Sequence, residues 1–268
     1  MNRARLLVAL AAATGVAALL VAERKRPLRQ QTLPDVPRNL RNAALGAGCA
    51  VIVAAVEEPL TRAIARGNLA KERGLAQRLP RPLRLLGGIA AMDYGFYWWH
   101  VATHRVPFLW RFHRVHHVDP DMDASTAVRF HPLDMLVSLP WRLVQVRLAG
   151  VSPKTLRWWR RFFNASILFH HANLRLPEGW DQRLRTVLTT PEMHGLHHSR
   201  VPEQQDSNFT SGLSLWDRLH GTFRADPPPG TFIIGVDDPQ ALADVAIDHA
   251  LAAPFARRTA DFNRPALD

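Results

Sequence analysis

Eleven of the chain's thirteen histidines fall between His100 and His198, and their spacing is that of metal-binding chemistry. His100 and His104 are four residues apart, which puts both imidazoles on one helix face, about 40° apart at ~100° per residue. His113, His116 and His117 fall within a helical arc of about 100°, and His194, His197 and His198 repeat that arrangement. Protonated imidazoles so placed repel one another. Neutral and buried ones each need partners for their ring nitrogens, and a shared cation answers both needs. Between the arrays, His170 and His171 are adjacent, so only one easily faces a common site; His171, in the H-A-N context, is the choice. His131 precedes a proline and reads as a loop or outer-sphere residue, while His220 and His249 are isolated and read as structural or solvent-exposed.

The strong positions are therefore His100, His104, His113, His116, His117, His171, His194, His197 and His198. One zinc takes about four ligands, so nine imidazoles imply two metals with room left for water, oxygen or substrate. Imidazole suits iron, zinc and copper alike, and the ligand count does not name the element. Soluble di-iron bundles use Glu and Glu-x-x-His ligands, which this set does not provide. The single cysteine, Cys49, excludes an intramolecular disulfide, a four-thiolate zinc knot and an iron–sulfur cluster. The chain has no C-x-x-C-H haem attachment and no G-x-G-x-x-G fingerprint, so electrons for any redox step come from a separate donor.

The elements that must position these histidines are apolar and helical. The 268 residues carry 34 Lys+Arg against 23 Asp+Glu, a net charge of +11, and 47% of them are hydrophobic. Residues 6–22 are uncharged and reach roughly 26 Å as a helix, close to the ~30 Å hydrocarbon core. A secretory signal is the rival reading, but no clean A-x-A site follows and the run continues into Arg24-Lys25-Arg26, so a retained anchor is preferred. Residues 42–56 form a second uncharged run, short for a span and open to a buried or re-entrant reading. A third, 85–103, contains Asp93 as its one formal charge, has aromatics where an interfacial belt lies, and ends inside the first histidine pair. The basic stretch 62–84 reads either as an amphipathic helix on anionic lipid or as an ordinary solvated helix. Both flanks of the second run are basic, so the positive-inside rule does not settle orientation. Pro107 ends the first histidine helix, and Thr190-Pro191 supplies an N-cap and first residue for the last. The DPPPG segment at 226–230 separates a short tail, in which 237–255 is weakly amphipathic and could dock as a terminal helix.

The motifs His100-VAT-His104, His113-RV-His116-His117 and His194-GL-His197-His198 resemble, in order and spacing, those of the integral-membrane fatty acid hydroxylase and sterol desaturase superfamily. His171 is similar to that family's intermediate histidine. The segments DYGFYWWH, VPFLWRFHRVHHVDPDMD, AVRFHPLD, FHHANLRLP and NFTSGLSLWDRLHGTF look like its bacterial members over residues 85–225. Asp134, His220 and Thr210 stand where the family commonly has Glu, Phe and Gly; none of these removes a proposed ligand.

The resemblance implies a mainly α-helical, integral-membrane bundle with a cytosol-facing dimetal site, in the bacterial inner membrane. It divides the chain into N-terminal anchor helices and linker (1–81), a catalytic domain (82–225) and a tail (226–268). It further implies a non-haem di-iron oxygenase, with two Fe ions or zinc in a purified form, that takes O2 as co-substrate and hydroxylates or desaturates a lipid C–H bond. The nine histidines are then the ligands, and Asp93, Asn173, Asn208 and Asp217 are outer-sphere candidates able to orient imidazoles or bound water. A ferredoxin- or cytochrome-type donor is implied, and a basic face including Arg105, Arg111, Arg114, Arg129, Arg200 and Arg218 would steer an acidic one. Two other classes stay open: a zinc-dependent membrane hydrolase and a membrane metal carrier. Nucleic-acid binding ranks last, since no recognised motif appears.

Overall fold

A proline at the first helical position starts three of the four helices that carry the histidines. The structure, a computed structural model, describes residues 3–228, 231–238 and 242–256. Helix α1 (Arg3–Lys25) contains the first apolar run, and α2 (Asp35–Ile52) most of the second. A π-helical turn, Val53–Glu57, joins α2 to α3 (Glu58–Ala70). After the short α4 (Leu75–Arg78), the third apolar run forms α5 (Arg84–Arg105). Pro107 cannot continue α5 and instead opens α6 (Pro107–His117), consistent with its fixed φ and missing N–H.

The short α7 (Asp134–Val137) and α8 (Leu139–Ala149) follow. Then comes α9 (Pro153–His171), whose first turn is capped by Ser152 accepting from Thr155 N. After α10 (Trp180–Leu184), Thr190 Oγ1 accepts from Met193 N to cap α11 (Pro191–His197). The chain ends in α12 (Pro202–Gln205), α13 (Leu215–Leu219) and α14 (Ile247–Ala252). Among the described residues there are no strands, only isolated bridges such as Ser199 with Ile234.

Below the histidines, α3, α5, α8 and α9 pack around Ala65, Met92, Val146, Ala149, Leu156 and Trp159. Two glycines allow the close approach that closes this layer. Gly74 (φ 90°) and Gly150 (φ 67°) lie back to back, and a Cβ on Gly74 would sit 2.4 Å from Gly150 Cα. The turn at Gly74 also breaks the stretch 62–84 into α3, α4 and a 3-10 turn, so the single amphipathic helix expected there does not form. Asn68 and Gln77 face inward instead and donate to the carbonyls of Val146 and Gly150.

Among the described residues, one helical stretch, Asp35–Arg78, is long and apolar enough to cross a membrane, and little of its apolar window is buried in the protein. The α5 run, by contrast, buries Met92, Tyr97, Trp99 and both its histidines in the protein. The tail is tied to the histidine region. Gly235 N donates to His198 O at 2.9 Å, and Arg114 pairs with Asp238 and with Asp244, the latter at 2.5 Å. The far end of the tail, 257–268, together with 239–241 of the expected docking helix, lies outside the described residues.

Candidate metal centre

Four helices deliver the histidines: α5 carries His100 and His104, α6 carries His113, His116 and His117, α9 ends on His170 and His171, and α11 with its C-cap carries His194, His197 and His198. The nine singled out by spacing are all buried, none more than 4% exposed. They divide into two groups, His100, His104, His113, His117 and His197 in one, His116, His171, His194 and His198 in the other. Within each group the ligand nitrogens lie within 4.8 Å of one another.

Helix geometry explains the division. Neighbouring side chains are ~100° apart and diverge, whereas residues four apart stay on one face. The i, i+4 pair His113/His117 therefore goes to the first group while His116 goes to the second. On α11 the assignment is reciprocal: His194/His198 go to the second group and His197 to the first.

Hydrogen bonds on the outer nitrogens fix which atom points inward. His100 Nδ1 meets Phe209 O at 2.6 Å, His197 Nδ1 meets Ser207 O at 2.8 Å, His171 Nδ1 meets Ile167 O at 2.7 Å and His116 Nδ1 meets Arg129 O at 3.2 Å. A carbonyl only accepts, so each of these Nδ1 atoms carries the proton and each Nε2 presents a lone pair. His171 Nε2 and His116 Nε2 nevertheless sit 3.0 Å apart, and His194 Nε2 is 3.0 Å from His171 Nε2. In the first group, His113 Nε2 is 3.2 Å from His100 Nε2 and 3.1 Å from His117 Nε2.

For His116 and His171 neither nitrogen has a proton to share, so their contact is two lone pairs and not a hydrogen bond. Nitrogens bound at about 2.0–2.1 Å to one ion are roughly 2.9–3.4 Å apart at cis or tetrahedral angles. The observed spacings match, so the residues fit a divalent metal in each group. Their charge state agrees. Burial pushes His116, His117, His194 and His198 well below the ordinary imidazole pKa, and neighbouring imidazoles push the same way. They are neutral at pH 7.

His170 lies behind His194, ring centroids 4.0 Å apart, and belongs to neither group. His131 accepts from Leu133 N and meets Leu251 O, tying the tail to the loop before α7. His220 stacks on Tyr97 and bonds Tyr94 Oη, and His249 is exposed.

The four outer-sphere candidates act on backbone. Asp217 accepts from Phe209 N at 2.8 Å and Thr210 N at 3.1 Å, and so holds the carbonyl that receives His100. Asn208, at φ 50°, donates to Met193 O and Arg224 O. Asp93 accepts from Leu213 N and Trp216 Nε1, and Asn173 bonds both backbone polar groups of Arg29.

Apart from Asn208, the strip Asp206–Phe209 carries no spacing signal, yet Asp206 pairs with Arg105 and lies 3.5 Å from His104 while the carbonyls of Ser207 and Phe209 orient two rings. The spacing argument missed the clamp on the loop after His117, where buried Arg38 binds Asp119 and Asp123. A D-x-D-x-D run directly after a histidine array was its one sequence signal. The expected basic face is smaller than six residues: Arg114 and Arg129 are core residues, 3% and 0% exposed, the latter donating to the carbonyls of Val115 and Asp244.

The model for the fatty acid hydroxylase family matches residues 85–222. The chain is 31% identical over 180 residues to an ornithine lipid hydroxylase of Rhizobium tropici, covering 67% of this chain and 52% of that protein. To the alkylglycerol monooxygenase of Homo sapiens it is 30% identical over 135 residues, 50% of this chain and 29% of the other. To the cholesterol 25-hydroxylase of Mus musculus it is 28% identical over 171 residues, 58% and 53% respectively. The chain thus spans about half the length of these relatives or less. No solved structure matches it.

Proposed function

The chain belongs to the fatty acid hydroxylase family, and on that premise we propose that it is a membrane-bound, non-haem di-iron oxygenase that uses O2 and external electrons to hydroxylate a lipid C–H bond. The observation that carries the reading is the pair of histidine groups, five and four, with Nε2 atoms converging at 3.0–3.2 Å. The names of the relatives, hydroxylases and monooxygenases of lipids, favour hydroxylation over desaturation.

Two irons bound there supply the reduction of O2 and the transfer of oxygen to an unactivated C–H bond. The nine histidines are proposed as their ligands. Neutral imidazoles would leave the positive charge of bound ions uncancelled. The carbonyls of Phe209, Ser207, Ile167 and Arg129 hold four rings in the tautomer that points Nε2 inward. Burial of all nine side chains limits water access. We assign residues 82–225 as the catalytic unit, 1–81 as anchor helices and 226–268 as a tail. The proposed location is a bacterial inner membrane, with the site facing the cytoplasm where a ferredoxin- or cytochrome-type donor is available. The apolar stretch within Asp35–Arg78 supports the membrane part.

The test is metal analysis with Mössbauer spectroscopy on protein from iron-57-supplied cells, before and after O2 exposure, followed by mass spectrometry of lipids incubated with reductant and O2. Roughly two irons per chain, a coupled signal that changes with O2, and lipid gaining one oxygen atom are expected. Stoichiometric zinc without an O2 response, or anaerobic hydrolysis of a lipid ester, overturns the proposal.

A further inference from the structure

Away from the histidine groups, a cavity of about 530 Å³ lies where α1 ends and α2 begins, with Glu23, Arg24, Arg29, Gln31, Asp35 and Asn39 on its walls. That volume is within the ordinary range of small-ligand sites, about 300–1,000 Å³, yet the lining is polar and carries both signs of charge. Apolar side chains also stand exposed close to it in the chain. Val21, Val36 and Leu40 are 52%, 66% and 66% exposed on the adjoining turns of the two apolar helices. A polar recess between apolar flanks suits a molecule with a charged end and hydrocarbon beside it.

The cavity also borders the metal centre. Asn173 on its wall is two residues beyond His171, so the two backbones are at most ~7 Å apart. Arg29 packs against Gly195, between His194 and His197, so closely that a Cβ there would lie 1.6 Å from its Nη2. The recess is also prebuilt. Glu23 accepts from the backbone N–H groups of Ala124 and Asn173, both at 3.1 Å, and Gln31 donates to Asp123.

We infer that this cavity seats the headgroup of the lipid substrate, and that the headgroup is zwitterionic, with an ammonium facing Glu23 and Asp35 and a phosphate or carboxylate facing Arg24. The inference rests on the lipid-oxygenase reading for the word substrate, and its binding test does not depend on turnover.

The full chain in dodecylmaltoside is titrated with three radiolabelled dihexanoyl lipids: phosphatidylethanolamine, phosphatidylglycerol and diacylglycerol. The zwitterion is expected to bind about tenfold more tightly than the uncharged lipid. Asp35→Asn lowers binding of the zwitterion alone by about threefold to fivefold, Arg24→Gln lowers both charged lipids by a similar factor, and the double variant reduces the preference to under about twofold. Both positions are exposed, and circular dichroism checks that the variants fold. Equal binding of all three lipids, or a preference untouched by the double variant, overturns the inference. Preferential binding without any oxidised lipid leaves it standing as a headgroup site and sinks the oxygenase reading; oxidised lipid with no headgroup preference does the reverse.

Discussion

Replacing His116 with Ala should empty one metal position and spare the other, whereas replacing its neighbour His117 should weaken the other position less severely. His116 is one of four ligands in its group and His117 one of five. A structural four-ligand site binds zinc with about 10–16 kcal/mol at pH 7, or very roughly 2.5–4 kcal/mol per ligand. Losing His116 then weakens that position about 10²- to 10³-fold, with three imidazoles left. Losing His117 leaves four, a complete set for a tetrahedral ion, so the expected loss is about tenfold to 10²-fold. The assay is metal content after dialysis against graded chelator, with circular dichroism to verify the helices. His116→Ala should drop from about two metals to one at chelator levels that leave the wild type loaded, and His117→Ala should need more chelator to do so. Two metals retained by both variants at wild-type chelator resistance would refute the division of the histidines. Simultaneous loss of both metals from His116→Ala would refute the independence of the two groups.

Arg114→Met should destabilise the fold by about 3–5 kcal/mol, because it leaves the nearly buried carboxylates of Asp238 and Asp244 without their shared cation. Thermal unfolding checks this, and adding Asp244→Asn to the variant should recover part of the loss; an unchanged Tm in the single variant would show that the tail is not held this way. The metal-free protein should also be acid-sensitive. His116, His117, His194 and His198 have folded pKa values pushed below 6.5 by burial, so the unfolded chain binds protons more readily. Stability is full above about pH 6.5 and falls below it, by roughly 1.4 kcal/mol per pH unit for each group that stays neutral. Chelator-treated protein should therefore unfold at a markedly lower temperature at pH 5.5 than at pH 7.5, and an equal Tm at both would contradict the buried, neutral assignment.

The histidine arrays are legible in the sequence because helical periodicity alone puts residues four apart on one face, and Pro107 and Thr190-Pro191 mark where those helices begin or end. The allocation of ligands between two groups follows from the same periodicity, but only once α6 and α11 are known to face each other across the site. Outer-sphere partners were less legible for a different reason. The groups that receive Nδ1 of His100, His116, His171 and His197 are backbone carbonyls, and every residue type carries one. Asp217 and Asn208 are visible as polar residues near the motifs, yet they act by shaping the strip that presents those carbonyls. The basic face failed as a composition argument: a charge count does not distinguish exposed Arg200, paired with Asp237, from Arg129, spent wholly inside the fold.

The amount of structure devoted to holding these rings follows from what the rings would do if left alone. Buried imidazoles converging with Nε2 lone pairs inward, as His116 and His171 do, repel at close range, and desolvation disfavours relieving that by protonation. Some other part of the chain must force the arrangement when no cation is bound. Asp217 fixes the strip that carries the acceptors for His100 and His197. Arg38 clamps the loop after His117, and Arg129 links that loop to α2 and the tail through Asn42 and Asp244. These supports are themselves buried charges, each costly unless fully paired. Stability invested around a self-repelling centre would be recovered on metal binding, which would link metal affinity to folding free energy. The clamp and the strip therefore belong to the candidate metal centre as much as the proposed ligands do.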